Sequence, residues 1–336
     1  MIILNDLKMK ASVFVDTKQI EYRENYPKPK IGSDDALVKV HYCGICGSDL
    51  TNFRTRMYQV PIIMGHEFAG EIVEVGDNIS DFKKGDRCLG ITVQLDIEKS
   101  EFKGLGIFND GGFAEYCKVP KEFLFHLPDS ISYKEGTMVE SFAVAVRAMK
   151  LSRISEKQNI AIIGAGNIGL TTLSVLLAEK KPNYIICIEP HEFLRNKALE
   201  LGATEAFPTK MYQIKKFFKK HEFPNYIFEC SGNDRAFKMA LKLVKKGGSI
   251  ILEGMYRGAV SIPLLLINMK EIGIKGVISH TREDIEMAID LVARNKVDPD
   301  KFISNIVCLK DIQETFLTFL NPGERKFVKN IVKIIS

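Results

Sequence analysis

The chain has 336 residues, of which 46% are hydrophobic and 26% charged, a composition typical of water-soluble globular proteins and unlike that of disordered or collagen-like chains. This length exceeds what one hydrophobic core usually serves, so two domains are expected. The net charge of +5 comes from 47 basic and 42 acidic residues spread along the chain, which argues against nucleic acid as a partner.

The apolar stretches and the cysteines favour a cytoplasmic protein that does not enter membranes. No apolar stretch approaches the roughly 18 residues that a membrane-spanning helix needs. The amino-terminal segment carries Asp6, Lys8 and Lys10 and lacks a signal-peptide cleavage pattern. The seven cysteines are odd in number and irregularly spaced, which favours reduced thiols over disulfide bonds.

The first part of the chain, to about residue 128, is predicted to form a mostly β domain. Residues 36–40 and 70–75 alternate apolar and polar side chains, and glycines and prolines separate such runs. This alternation is typical of strands with one buried face.

Two motifs in this first part contain residue types that bind zinc. They read Cys43-Gly-Ile-Cys46-Gly-Ser48-Asp49 and Gly65-His66-Glu67. Because no second C-x-x-C occurs in the chain, a four-cysteine structural site lacks ligands. A catalytic zinc needs only three protein ligands and one open position. The spacing leaves open whether Cys43 or Cys46 supplies the thiolate, and which acid completes the set.

From about residue 141 the sequence predicts a parallel sheet. Short apolar runs at residues 159–163, 184–188, 226–228 and 249–252 alternate with longer amphipathic segments. Strands that are apolar on both faces and separated by helices are typical of such a sheet. A further amphipathic helix is expected near residues 281–295, and residues 302–336 return to a strand-rich pattern.

The first apolar run leads into a glycine fingerprint for a dinucleotide. Gly164 allows a tight turn, Gly166 lets the backbone approach a pyrophosphate, and Gly169 permits close packing of helix on strand. Asn167 and Ile168 lie between the last two glycines, at the start of a helix whose free N–H groups favour phosphate.

Glu189 follows the second apolar run, 20 residues past Gly169, where an acid that contacts the adenosine ribose is expected. A carboxylate accepts hydrogen bonds from ribose hydroxyls and repels a 2′-phosphate, so NAD is predicted over NADP. Arg195 is also expected to bind the cofactor. The alternative is that Glu189 is a solvated residue at a strand end and that His191 and Arg195 accept a phosphate.

These motifs, in their order, resemble those of the zinc-containing medium-chain alcohol and polyol dehydrogenases. The resemblance covers essentially the whole chain and includes residues 43–49, 65–76, 84–87, 111–116, 164–169 and 228–232. It implies an α/β fold with a Rossmann-type, doubly wound parallel sheet and a mostly β, GroES-like catalytic domain. The expected boundaries are 1–142 and 279–336 for the catalytic domain and 143–278 for the dinucleotide-binding domain.

The resemblance also assigns the metal ligands. It selects Cys46 and leaves Cys43 to packing, and it gives His66 as the second ligand, oriented by Asp49. Glu67 resembles the adjacent acid that binds the metal or exchanges with water. Glu140 stands where polyol-type members carry a glutamate, so it is expected to bind zinc directly or through water. The alternative for Glu140 is a carboxylate that only stabilises a helix start.

Two departures from the family pattern affect these expectations. No cysteine lies between Cys88 and Cys117, so the second, structural zinc of many members is expected to be absent. Thr51 stands where many members carry a histidine that passes protons to solvent. Ser48 is therefore the only assigned part of the proton path.

The predicted reaction is hydride transfer between a secondary alcohol and NAD, with one catalytic zinc per chain. Zinc as a Lewis acid lowers the pKa of a bound oxygen, and Ser48 is placed to receive the proton. The substrate classes are polyols, sugar alcohols, sugar acids, diols and hydroxy amino acids. The alternatives are a zinc-free quinone or enone reductase and a non-catalytic NAD-binding protein of the same fold. Family members assemble as homodimers or homotetramers, and residues 271–278 are the expected contact strand.

Overall fold

The structure is a computed structural model that describes residues 7–92, 104–320, 323 and 325–335. The strands are β1 (Lys8–Asp16), β2 (Gln19–Pro27), β3 (Asp35–Gly44), β4 (Ile62–Ile63), β5 (Glu67–Val75), β6 (Arg87–Ile91), β7 (Tyr116–Pro120), β8 (Leu124–His126), β9 (Asn159–Ile163), β10 (Tyr184–Ile188), β11 (Glu205–Phe207), β12 (Tyr226–Glu229), β13 (Ser249–Leu252), β14 (Gly273–Gly276), β15 (Ile303–Cys308) and β16 (Lys329–Lys333).

The α-helices are α1 (Gly47–Thr55), α2 (Tyr133–Gly136), α3 (Val139–Ser152), α4 (Asn167–Glu179), α5 (Glu192–Glu200), α6 (Met211–Phe217), α7 (Asp234–Leu243), α8 (Leu264–Lys270), α9 (Arg282–Ala293) and α10 (Ile312–Thr318). None of the helices in the described part of the chain combines the length and apolar character that a membrane span requires.

The chain forms two compact units, and each of them is assembled from separate segments. The first unit comprises Met1–Glu140, Asp298–Gly323 and Lys329–Ser336, and the second comprises Ser141–Val297 and Glu324–Val328. The chain therefore returns to the second unit for five residues before it ends in the first.

The first unit contains two sheets around an aromatic core. One sheet has the order β2-β1-β4, and the other has the order β15-β16-β3-β5-β6-β8, with β7 also paired to β3. Along β3 the side chains of Val38 and Val40 are fully buried while Lys39 between them is partly exposed, as the alternating pattern predicts. Phe53 and Phe316 pack edge to face in the core at 5.2 Å.

The second unit contains a parallel sheet with the order β11-β10-β9-β12-β13-β14. This order, in which the chain starts in the middle and builds outward in both directions, is that of a doubly wound dinucleotide fold. Every side chain of β9 and β10 is buried because helices cover both faces. The strands end level with one another, since Ile163 pairs with both Ile188 and Glu229.

The helix expected near residues 281–295 is α9, and it belongs to the second unit. The expected boundary at residue 279 differs from this division, which keeps residues 279–297 with the parallel sheet. The buried carboxylate of Asp284 connects α9 to α3 within this unit, because it accepts a hydrogen bond from Lys150 at 2.8 Å and lies 3.8 Å from Arg147.

Candidate metal centre and dinucleotide cradle

Three of the predicted metal ligands converge in the first unit. The ligand atoms of Cys46, His66 and Glu67 all lie within 4.8 Å of one another. The pairing of β3 with β5, which sets Cys43 opposite Phe68, brings the two motifs together. Cys46 precedes α1, and Glu67 is the first residue of β5.

Asp49 connects the start of α1 to the imidazole of His66. One carboxylate oxygen accepts a hydrogen bond from the Cys46 amide at 2.9 Å. The other, Oδ1, lies 3.5 Å from His66 Nδ1, within ion-pair range but too long for a good hydrogen bond. Both of these atoms are buried and lack a hydrogen-bond partner among the described residues. The hydroxyl of Ser48 lies 3.4 Å from His66 Nε2, on the opposite side of the ring.

The electrostatic field of this site favours a cation. Burial opposes a charged imidazole, yet the negative charges of Asp49 and Cys46 raise the pKa of His66 well above its usual value. The same charges would stabilise a metal ion in place of the proton.

Glu67 forms a buried ion pair with Lys329, which the sequence reasoning missed. Their side chains are 1% and 2% exposed, respectively. Burial raises the pKa of the Glu67 carboxyl, Lys329 opposes that rise, and the charge of Glu140 adds to it. Lys329 is the first residue of β16, which also contains Asn330 and Lys333, so the local sequence gives no signal that this lysine is buried beside an acid.

Glu140 stands at the start of α3, outside the group of three converging ligands. Its charge acts on both Glu67 and Lys329. The described structure therefore gathers three of the four expected ligands and leaves Glu140 in electrostatic range of them.

The remaining residues of the two motifs have structural contacts. Cys43 is fully buried, and burial raises the pKa of its thiol well above the usual value, which keeps it neutral. Cys46, and not Cys43, belongs to the group whose ligand atoms converge, so the geometry favours Cys46 as the ligand. Thr51, at the position of the missing histidine, donates its hydroxyl to the Gly47 carbonyl at 3.0 Å. Part of the segment between Cys88 and Cys117, for which no structural zinc was expected, lies outside the described residues.

The gathered residues fit a zinc ion. Atoms that share a tetrahedral zinc at 2.0–2.3 Å lie roughly 3.5 Å apart, so a small contraction of the present geometry is enough. Thiolate, imidazole and carboxylate match the preferences of zinc, and Asp49 is placed to orient the imidazole.

The glycine turn of the second unit has the geometry that a dinucleotide requires. Gly164 has a φ of +92°, and a Cβ on Gly169 would lie 1.9 Å from the Gly164 carbonyl oxygen. Gly166 is the N-cap residue of α4, and no side chain caps this end, which leaves the helix N–H groups available. Asn167 donates to Ser141 at 2.8 Å, while its buried amide oxygen lacks a partner among the described residues. Ile168 follows it in the first turn and is partly buried. The cradle fits a pyrophosphate.

Glu189 is built into this cradle and is not a solvated strand end. It is 5% exposed, and its carboxylate accepts hydrogen bonds from the amides of Ala165 at 2.8 Å and His191 at 3.0 Å. Arg195 instead donates to the carbonyl oxygens of Glu189 and Pro190, at 2.9 and 2.6 Å, and so braces the loop.

Arg325 is a second residue that the sequence reasoning missed. Its guanidinium lies 3.4 Å from where a Cβ on Gly166 would stand, and Glu189 acts on its charge. It comes from the short return segment of the second unit, which places a cation beside the glycine turn. Nothing in the local sequence marks this position.

Comparisons with known proteins agree with both units. A model for the alcohol dehydrogenase GroES-like domain matches residues 32–129, and a model for zinc-binding dehydrogenases matches residues 168–294. The (R,R)-butanediol dehydrogenase of Bacillus subtilis is 30% identical, with 97% of this chain and 99% of that protein covered. The sorbitol dehydrogenase of the same organism is also 30% identical, over 91% of this chain and 92% of its own length.

A solved structure from Sinorhizobium meliloti 1021, described as a zinc-binding dehydrogenase bound to NADP, superimposes with a TM-score of 0.89. It is 28% identical and covers 97% of this chain and 99% of its own. The expected fold, a GroES-like domain plus a Rossmann-like parallel sheet, is thereby confirmed. With this fold, a gathered Cys, His and Glu set and near full-length similarity to two such enzymes, the chain belongs to the zinc-dependent medium-chain alcohol and polyol dehydrogenases, the family of the sorbitol and butanediol dehydrogenases.

Proposed function

We propose that this enzyme holds one catalytic zinc ion per chain and exchanges hydride between NAD and a secondary alcohol that carries a neighbouring hydroxyl group, as in polyols and vicinal diols. The observation that carries the proposal is the convergence of Cys46, His66 and Glu67 within 4.8 Å. Glu140 is the proposed fourth protein group, binding the ion directly or through water.

The residues around this site have distinct proposed roles. A bound zinc ion supplies Lewis acidity, which makes an alcohol oxygen easier to deprotonate. Ser48, 3.4 Å from His66 Nε2, accepts the alcohol proton. Asp49 holds the imidazole in place, and Lys329 balances the charge of Glu67. Thr51 is too short to act as the histidine of other members does, so the proton leaves Ser48 by another path.

Gly164, Gly166 and Gly169, together with Asn167 and Ile168, are the proposed pyrophosphate cradle. Glu189 is the proposed partner of the adenosine ribose, and its carboxylate supports NAD over NADP because it repels a 2′-phosphate. Arg195 braces the loop beside it.

The substrate class is supported by the two relatives at 30% identity, one named for a vicinal diol and one for a polyol. Sugar acids and hydroxy amino acids are the wider candidates. A carboxylate near the metal is consistent with substrates that offer a second oxygen.

We also propose a homodimer that joins through β14. This strand ends the parallel sheet, and each of its residues, Gly273–Gly276, is exposed. Nearby exposed apolar side chains include Leu264, Leu265, Met269 and Ile278, which are 66–70% exposed. An unpaired strand edge flanked by apolar side chains is a suitable surface for a second copy.

The test combines elemental analysis with a substrate screen. The purified protein should contain about one zinc ion per chain. It should reduce NAD in the presence of 2,3-butanediol, sorbitol or xylitol, with threonine and sugar phosphates as comparison substrates. Absence of zinc together with NADPH-dependent reduction of enones would instead identify a zinc-free reductase. Zinc and NAD binding without turnover of any of these alcohols would favour a non-catalytic protein.

A further inference from the structure

Two acidic residues, Glu229 and Glu253, lie at the carboxyl edge of the parallel sheet, on the side away from Glu189. Cys230 follows β12 directly, and Glu253 follows β13. The last residues of these strands, Glu229 and Leu252, pair with each other and are level with the end of β9. Both positions are therefore at the edge where doubly wound sheets bind ligands.

The two sides of this edge receive different halves of a dinucleotide. Glu189, after β10, marks the side of the adenosine ribose, and the glycine turn after β9 marks the pyrophosphate. A dinucleotide bound in this direction would place its nicotinamide half over the ends of β12 and β13, where Cys230 and Glu253 stand. This step rests on the proposed use of a nicotinamide dinucleotide.

The carboxyl group of Glu253 is held in place by two side chains. The hydroxyl of Thr172, on α4, donates to it at 2.9 Å, and the thiol of Cys230 donates at 3.3 Å. The backbone amide of Glu253 also donates to the carbonyl oxygen of Glu229 at 2.9 Å, which fixes the start of the loop.

The neighbouring acid, Glu229, is far better supplied with donors. It is fully buried and accepts hydrogen bonds from the amides of Ser231 and Gly232, at 2.9 and 3.1 Å, and from the hydroxyls of Ser231 and Tyr256. Four donors stabilise a carboxylate, so Glu229 has its charge compensated locally.

Glu253 has no such compensation. Its side chain accepts hydrogen bonds from two side chains, those of Thr172 and Cys230, against four donors for Glu229, and in the described part of the chain neither carboxyl group forms an ion pair with Lys or Arg. Burial raises the pKa of its carboxyl to about 8, and the nearby charge of Glu229 acts in the same direction. Among the described residues, the carboxyl group of Glu253 therefore has no positively charged partner, and it lies on the side of the sheet where a nicotinamide ring is expected.

We propose that Glu253 sets the preference of this enzyme for the oxidation state of its cofactor, by stabilising the positively charged ring of NAD⁺ over the neutral ring of NADH. Only the oxidised ring carries the charge, so a carboxylate at this position discriminates between two ligands that are otherwise alike. A hydrogen-bonding role alone would not depend on the charge of the ring.

The proposal implies coupling between the proton on Glu253 and the bound cofactor. Bound NAD⁺ stabilises the carboxylate and so lowers the pKa of Glu253. By the same coupling free energy, loss of the proton from Glu253 strengthens the binding of NAD⁺. The preference for NAD⁺ should therefore grow as pH rises through the pKa of Glu253. Cys230 and Glu229 are the other titratable groups that face this carboxyl, and burial raises the pKa of the Cys230 thiol well above its usual value.

The experiment measures the dissociation constants of NADH, by its fluorescence, and of NAD⁺, by calorimetry, for the zinc-loaded full-length protein at about pH 6 and about pH 9. In the wild type the ratio Kd(NADH)/Kd(NAD⁺) should rise between these values. In Glu253→Gln, which keeps the shape and loses the charge, the ratio at the higher pH should fall by about fivefold or more and should no longer rise with pH. Glu253→Asp, which keeps the charge, should retain the pH dependence.

Glu189→Gln is the matched control, because the adenosine half is identical in both cofactors. It should weaken NAD⁺ and NADH equally and leave their ratio unchanged. Circular dichroism of each variant establishes that it is folded; if Glu253→Gln does not fold, Glu253→Asp and the wild-type pH profile decide the question.

The outcomes separate this inference from the proposed function. A wild-type protein that binds neither NAD⁺ nor NADH overturns both. Binding of both cofactors with a ratio that Glu253→Gln does not change, or that only Glu253→Asp changes, overturns the charge-based role of Glu253 and leaves the cofactor proposal intact.

Discussion

Lys329, in β16, forms a buried ion pair with Glu67, which stands 262 positions earlier at the edge of the metal centre. Removal of a charge from water is costly, so each member of such a pair depends on the other. Lys329 thus neutralises one of the candidate zinc ligands, and the centre is complete only when β16 is paired with β3.

Replacement of Lys329 by Met should destabilise the first unit by about 3–5 kcal/mol, because it removes the positive charge that faces the buried Glu67 carboxylate. Urea unfolding of the metal-free protein measures this loss. The double variant Glu67→Gln, Lys329→Met should recover much of it. The surface pair Arg56–Asp16, with side chains 51% and 55% exposed, is the control, and Arg56→Gln should cost less than about 1 kcal/mol. Equal losses for Lys329→Met and Arg56→Gln would contradict the role of the pair.

Replacement of Cys46 or His66 by Ala should remove zinc and turnover together, since each supplies one ligand atom of the gathered set. Cys43→Ala is the matched control: it removes a thiol three residues away that is fully buried in the core, and zinc should be retained. Elemental analysis of the three purified variants provides the measurement. Zinc loss in Cys43→Ala with retention in Cys46→Ala would reverse the assignment.

The cofactor specificity should depend on Glu189. The wild type should show a lower Michaelis constant for NAD than for NADP, and Glu189→Ala should narrow that difference by about tenfold, because the repulsion of a 2′-phosphate is lost. Steady-state kinetics with both cofactors measure the change. A wild type that prefers NADP would refute the role of this carboxylate.

Glu253 should make the protein less stable as pH rises, which is opposite to the usual behaviour of a carboxyl group. Its pKa in the folded state is about 8, raised from 4.5. Between these values the folded state holds a proton that the unfolded state releases, so stability falls with pH, by at most about 1.4 kcal/mol per pH unit. The melting temperature of Glu253→Gln, followed in the absence of cofactor, should decline less over this range than that of the wild type. Parallel declines would show that the carboxyl keeps an ordinary pKa.

The proposed dimer should break when the open edge of β14 loses a donor. Gly273 and Val277 donate toward β13, at 3.0 and 2.9 Å, so the alternating geometry directs the Ile274 N–H to the open edge. Ile274→Pro removes this N–H, whereas Ile274→Ala keeps it. Light scattering after size-exclusion chromatography should give a monomer for the proline variant and a dimer for the alanine variant. A dimer in both would place the contact elsewhere.

Local sequence patterns were sufficient for the strands of the parallel sheet and for the glycine turn. The runs expected at 159–163, 184–188 and 249–252 coincide with β9, β10 and β13, because strands buried on both faces must be apolar throughout. The local motifs nominated a cysteine, His66 and an acid as zinc ligands, and the resemblance to the family was needed to select Cys46 and Glu67.

What the sequence did not reveal depends on contacts between distant segments. Lys329 and Arg325 lie in a short stretch of ordinary basic residues, and their positions beside Glu67 and Gly166 follow only from the tertiary fold. The sequence pattern of α9 likewise gave no sign that Asp284 would contact Lys150 on α3. The periodicity of apolar residues shows which face of a helix is buried, but it does not show which domain covers that face.

The segmented make-up of the two units limits how the protein could be divided. A fragment that stopped at Glu140 would contain all the candidate metal ligands and yet lack β15 and β16, so Glu67 would lose its counter-charge and β3 one of its neighbours. Autonomous expression of the metal-binding half would require splicing residue 140 to residue 298 and bridging residues 324–328, which carry the arginine of the other half. Truncation of the gene at residue 140, by contrast, would remove β15 and β16 from the first unit together with the second unit.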